Sequence, residues 1–165
     1  MIDNLYKSTA TSKASDVQEL FIDIKKILLA TDGSQSSIMA TEQAIAWAGF
    51  FGAAVRAIYV ESDYEMLESP YLETEKHLKG KPGVGRCAEL LDAVKRYAEQ
   101  NNVRIETRVL RGQVARTIAD YAEVYGPDLI VIGNSEKSGI KRSLGSVVDA
   151  VMKNTDVPVL VISDN

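Results

Sequence analysis

One cysteine and one histidine are all that this chain of 165 residues holds of the two side chains most used for metal binding and nucleophile activation. A lone cysteine cannot close an intrachain disulfide, which fits a reducing compartment. Cys87 reads as a small buried side chain on a helix, with a reactive thiol as the alternative. His77 lies in a polar stretch with no nucleophile elbow near it, so a Ser-His-Asp hydrolase is set aside and His77 is expected in an exposed loop. No zinc-ligand spacing occurs, and no metal site is expected. Long apolar runs are also missing. The longest, Ala44 to Val55, is too short to span a bilayer, and the N-terminus has no apolar signal core. Positive charge is not in excess: 19 Lys and Arg against 23 Asp and Glu give a net charge of −4. That argues against a nucleic-acid or membrane partner and leads to the expectation of a cytoplasmic protein. Two glycine signatures are absent as well. There is no Gly-Lys-Ser or Gly-Lys-Thr, and no glycine triplet opens a helix after the first strand. A P-loop NTPase and a Rossmann dehydrogenase are therefore unsupported.

What is present is an ordinary globular composition, 45% apolar and 25% charged, in a length that suits one domain. Residues 1–23 read as an N-terminal extension, with a short helix over Asp16 to Ile22, and residues 24–165 as the domain. Apolar runs predict strands at Ile24 to Thr31, Ala53 to Val60, Leu129 to Ile132 and Val157 to Ile162. Val103 to Leu110 alternates and is expected at a sheet edge. Helices are expected at Ser34 to Phe51 (inward face Ile38, Ala44, Ile45, Ala48, Phe51) and Arg86 to Asn101 (Leu90, Leu91, Val94, Tyr97). Two more are expected at Gln113 to Tyr125, capped by Gly112, and at Ser146 to Lys153. Ser62 to Gly85, with Pro70, Gly80, Pro82, Gly83 and Gly85, reads as a long loop with a helical piece at Tyr71 to Leu78. Alternating strands and helices imply an α/β fold, a doubly wound five-stranded parallel sheet with helices on both faces.

In such a sheet, ligands bind beyond the strand carboxyl ends at the switch point. With the order 3-2-1-4-5, strands 1 and 4 are neighbours, and two features converge there. Asp32-Gly33-Ser34 leaves strand 1. Asp32 is suited to accept hydrogen bonds from an adenine amino group or a ribose hydroxyl, or else to cap the following helix. Gly133 leaves strand 4, and the loop from Asn134 to Leu144 leads to Gly145-Ser146-Val147 at a helix start, where N–H groups face an anion. Within that loop, Lys137, Lys141 and Arg142 stand against Glu136 alone, a local balance of +2 in a chain of −4.

These segments together resemble the universal stress protein family. The match runs from Lys25 to Ser163, through Ile27 to Ser34, Ala57 to Val60, Gly112, Asp128 to Gly133, Ser138 to Arg142, Gly145 to Val147 and Val157 to Ile162. The resemblance implies a flavodoxin-like, adenine nucleotide alpha hydrolase-like sheet of order 3-2-1-4-5. In many members it also implies an ATP site. Asp32 and Val60 would then contact adenine and ribose, Gly133 would approach ribose and phosphates, and Gly145, Ser146 and Val147 would hold phosphate, with Gly33, Ser34 and Lys137 completing the set. It implies a homodimer through Val157 to Ile162. The sequence departs from the ATP-binding pattern at Glu136, which stands where a glycine is expected in a loop one residue short. A carboxylate there repels a triphosphate unless Lys137, a magnesium ion or outward rotation offsets it, so ADP or AMP is an alternative to ATP.

Three functions follow. One is a stress-response regulator that binds an adenine nucleotide, ATP, ADP or AMP, with magnesium as a candidate companion. Another is a nucleotide-free dimeric scaffold for a protein partner. No general base stands out beside the phosphates, so no catalytic residue is assigned and any ATP hydrolysis is expected to be slow. An enzyme acting on another phosphorylated small molecule is a third, weaker reading.

Overall fold

The computed structural model describes residues 23–62, 84–134 and 144–164. The expected helices at Asp16 to Ile22 and Tyr71 to Leu78, together with His77, Glu136, Lys137, Lys141 and Arg142, lie outside the described residues. Among the described residues, nine elements follow one another. They are β1 (Lys26–Ala30), α1 (Gln35–Phe51), β2 (Ala54–Glu61), α2 (Val84–Gln100), β3 (Ile105–Arg111), α3 (Val114–Tyr125), β4 (Leu129–Asn134), α4 (Ser146–Lys153) and β5 (Val159–Ser163).

The strands form one sheet in the order β3-β2-β1-β4-β5, every pair parallel. The expected order is therefore the observed one. The strand period of two divides the core. Ile27, Leu29, Val55, Ala57, Leu129 and Val131 face α1 and α2, while Leu28, Ala30, Ile58, Ile130 and Ile132 face α3 and α4. Both faces of β1 and β4 are buried, which is why those strands read as unbroken apolar runs. β3 and β5 form the edges. At the strand N-terminal ends, Asp128 fixes β4 to β1: its Oδ2 accepts from Lys25 N at 2.8 Å and Lys26 N at 2.9 Å.

Several local expectations are corrected. The buried stripe of α1 is Ser36, Ser37, Ala40, Thr41, Ala44, Ile45 and Ala48. Ile38 and Phe51 point outward, 46% and 38% exposed. Closeness to β4 sets this face, so small side chains occupy it rather than large apolar ones. Trp47, Phe50 and Phe51 instead form an exposed edge-to-face cluster near the helix C-terminus. In α2, Cys87, Leu91, Val94 and Ala98 make the buried stripe, and Tyr97, expected to face inward, is exposed. This helix begins at Val84, two residues before the expected start. The cap of α3 is Gln113, whose side-chain oxygen accepts from Arg116 N at 2.7 Å, and not Gly112. β5 begins at Val159 rather than Val157. Its neighbour Pro158 still joins the sheet by accepting from Ile130 N at 2.9 Å.

Candidate functional site

The helices that follow β1 and β4, α1 and α4, lie on opposite faces of the sheet, so a crevice lies where β1 and β4 end side by side. On one side is the turn from β1 into α1. Gly33 adopts φ of +79°, a left-handed conformation that side chains resist. Asp32 Oδ1 accepts from Ser34 N at 2.9 Å, which tightens the turn. Ser34 is the helix cap, its hydroxyl accepting from Ser37 N at 3.3 Å. Of the two roles expected of Asp32, capping falls to Ser34 instead, and Asp32 braces the turn. A carboxylate accepts along about four directions, so the Ser34 bond leaves Asp32 with capacity toward a ligand. Desolvation pushes the Asp32 carboxyl up. Hydrogen bonding from Ser34, with the Ser37 side chain close by, outweighs it and holds the pKa below its ordinary value. Asp32 is therefore an anion at neutral pH, suited to accept from amino or hydroxyl groups and unsuited to touch phosphate.

Beneath this turn lies a buried group of hydroxyls that the sequence pattern does not reveal. Thr31 donates to Ser37 Oγ at 3.3 Å, Ser37 Oγ donates to Ser34 O at 3.0 Å, and Thr41 donates to Ser37 O at 2.8 Å. Gly133 explains why these residues are small. A Cβ on Gly133 would lie 2.5 Å from Ser37 N and 2.6 Å from Ser36 C. The β4 backbone thus rests directly on the first turn of α1.

The next residue alternates to the other face. Asn134 is buried, and its Oδ1 accepts from Gly145 N at 2.7 Å while its Nδ2 donates to Ser163 Oγ at 3.3 Å. Sequence reasoning misses Asn134 too. It ties the end of β4 to the N-cap of α4 and to β5. Behind Gly145, Ser146 and Val147 are exposed in the first turn of α4, where N–H groups have no intrahelical acceptor. Val60 closes the third side from the end of β2, partly buried against the α3 and α4 face. The structure therefore brings Asp32, Gly33, Ser34, Gly133, Gly145, Ser146 and Val147 to one crevice, with Val60 at its flank. Lys137 lies outside the described residues.

Cys87 is placed without joining the site. The Cys87 thiol is pushed up by burial and by the charge of Glu61, whose Oε1 lies 3.7 Å from Sγ. A protonated thiol is a poor nucleophile, so the structural role holds for Cys87. Among the described residues, no group of three or more His, Cys, Asp or Glu could hold a metal ion. None of the described helices is long and apolar enough to cross a membrane.

The model of the universal stress protein family matches residues 23–163. Universal stress protein MJ0531 of Methanocaldococcus jannaschii is 40% identical over 139 residues, covering 84% of this chain and 81% of its own. Among solved structures, protein MJ0577 superposes with a TM-score of 0.71 at 27% identity, over 87% of this chain and 98% of that one. Lower likenesses, which show the fold alone, are to complexes with cAMP, with dAMP (Archaeoglobus fulgidus) and with AMP (Arabidopsis thaliana). Their identities are 22%, 19% and 16%, with TM-scores of 0.65, 0.58 and 0.61. Each covers 86% of this chain and 98%, 99% and 92% of its own.

Proposed function

We propose, because the chain belongs to the universal stress protein family, that it binds an adenine nucleotide between β1 and β4 and acts as a stress-response regulator. One observation carries the reading: an anionic acceptor, Asp32, and an anion-seeking helix start, Gly145 to Val147, lie at the same crevice on opposite faces of the sheet. A nucleotide has the matching polarity, with donors at its base and ribose and negative charge at its other end. Family members solved with cAMP, dAMP and AMP support the ligand class. The protein works as a cytoplasmic homodimer through the outer edge of β5, where parallel pairing uses only the β4 side. Magnesium, where present, comes with the phosphates. Hydrolysis is slow at most, because no general base stands out beside the phosphates and Asp32 belongs at the base end.

Titration calorimetry with AMP, ADP and ATP, with and without magnesium, tests this on protein freed of co-purified nucleotide. Micromolar binding of at least one is expected, and sedimentation should give a dimer. Absence of binding to all three would move the weight to the nucleotide-free scaffold. Phe50 favours that second reading: it is 85% exposed beside Trp47 and Phe51, an aromatic cluster of the kind that contacts partner proteins.

A further inference from the structure

Among the described residues, the aromatic cluster at the end of α1 has no cover. Phe51 packs edge-on against Trp47, with ring centroids 6.1 Å apart, and against Phe50 at 5.0 Å. Phe50 is 85% exposed. Aromatic side chains carry more apolar area than any others, and a group of them left together at the surface points to an occupant.

The entry of the chain into β1 shows which occupant is at hand. Ile24 is buried in the same core cluster as Ala44 and Ala48 of α1. Lys25 O accepts from Ala54 N at 2.8 Å. Ala54 stands three residues beyond Phe51, a reach of at most about 11 Å. Residues 16–22 therefore join the fold beside the cluster. In their sequence, Val17, Leu20 and Phe21 recur at i, i+3 and i+4, the apolar stripe of a helix. A segment tethered so close acts at a high effective concentration, which favours it over a free partner.

We propose that residues 16–22 dock this stripe on Trp47, Phe50 and Phe51 of their own chain and so cover the end of the domain where the strands begin. Asp16, Gln18 and Glu19, off the stripe, are left to water. The partner contact of the scaffold reading would first have to displace this segment.

Hydrogen exchange on the full chain tests the docking. In the wild type, the amides of Leu20 to Ile22 should be protected from exchange. Leu20→Ser and Phe50→Ser should each abolish that protection and leave β1, β2 and β4 as protected as before. Phe50 is exposed, so its replacement spares the core. Cross-linking then identifies the chain that supplies the cover. Cys87 is buried, so a short bismaleimide should join Phe21→Cys to Phe50→Cys within one chain and spare the native thiol. Val124 is equally exposed at 85% and lies at the end of α3, on the other face of the sheet. Phe21→Cys paired with Val124→Cys should cross-link far more slowly. Unprotected wild-type amides would leave the cluster open to a partner protein and overturn the proposal. Protection unmoved by Phe50→Ser would place the segment elsewhere and overturn it as well. Cross-links between chains instead of within one would make a second copy the occupant, with the same result.

Discussion

Adding one methyl group at Gly133 should destabilise this protein sharply, because the β4 backbone leaves no gap against the first turn of α1. The Cβ of Gly133→Ala would sit 2.5 Å from Ser37 N, 2.6 Å from Ser36 C and 2.8 Å from Ser36 O. Carbon prefers about 3.5–4.0 Å from such atoms, so α1 must retreat from β4 by about 1 Å. All three obstacles are backbone, and no side chain can swing aside. The retreat also strains the bonds of Thr31 and Ser37 beneath the turn. Overpacking costs about 1–3 kcal/mol, and a backbone clash belongs at about 3. At about 2 cal/mol/K per residue of unfolding entropy, a domain of this size should lose about 10 °C in Tm. Gly49→Ala supplies the control. It lies within α1, is exposed, and its Cβ would meet only Val103 Cγ2 at 3.9 Å. Replacing a helical glycine there should stabilise by about 0.5–1 kcal/mol. Thermal denaturation followed by circular dichroism reads both variants. A Gly133→Ala melting point within about 2 °C of the wild type, or a shift of both variants in the same direction, would refute the close contact as its cause.

Three further outcomes are expected. Ser34→Ala removes the α1 cap and should cost about 1 kcal/mol, seen as a lower urea midpoint at unchanged slope. Asp32 has a folded pKa below its unfolded value of about 3.9. Its stabilisation is present above that value and lost as pH falls through the folded one, so the Tm gap between wild type and Asp32→Asn should be open at pH 7 and shrink in acid; a constant gap would refute the assignment. Arg56 donates to Tyr121 Oη at 2.7 Å, pairs with Glu106 and lies 4.5 Å over the Tyr125 ring. Arg56→Lys loses the planar stacking and fork geometry and should destabilise by about 1–2 kcal/mol in denaturant unfolding.

The sheet was legible because its signals are local. Ile27 to Ala30 and Leu129 to Ile132 are apolar without interruption, as strands covered on both faces must be, and the alternation at Val103 to Leu110 marks an edge. The inward face of α1 was less legible. Hydropathy picks Ile38 and Phe51, but the closeness of the helix to β4 selects for size, and Ser36, Ser37 and Ala40 win. At the site, the glycines and Asp32 stood out by motif, while the packing reason for Gly133 depends on a helix a hundred residues upstream in sequence. Asn134 gave almost no local signal, since its partners are 11 and 29 residues away. The one clue was its place in the β4 alternation, where the next inward side chain is polar and so needs partners.

The single tryptophan, Trp47, lies twelve residues after Gln35 in α1, about 18 Å along the helix axis at 1.5 Å per residue. It therefore occupies the end of the domain opposite the crevice, with Phe51 edge-on at 6.1 Å between ring centroids. Intrinsic fluorescence excited at the indole band will track denaturation of the fold and stay silent to a nucleotide at Asp32 or Gly145. A flat emission titration would thus carry no weight against binding, and a reporter for the crevice has to be built in at its rim.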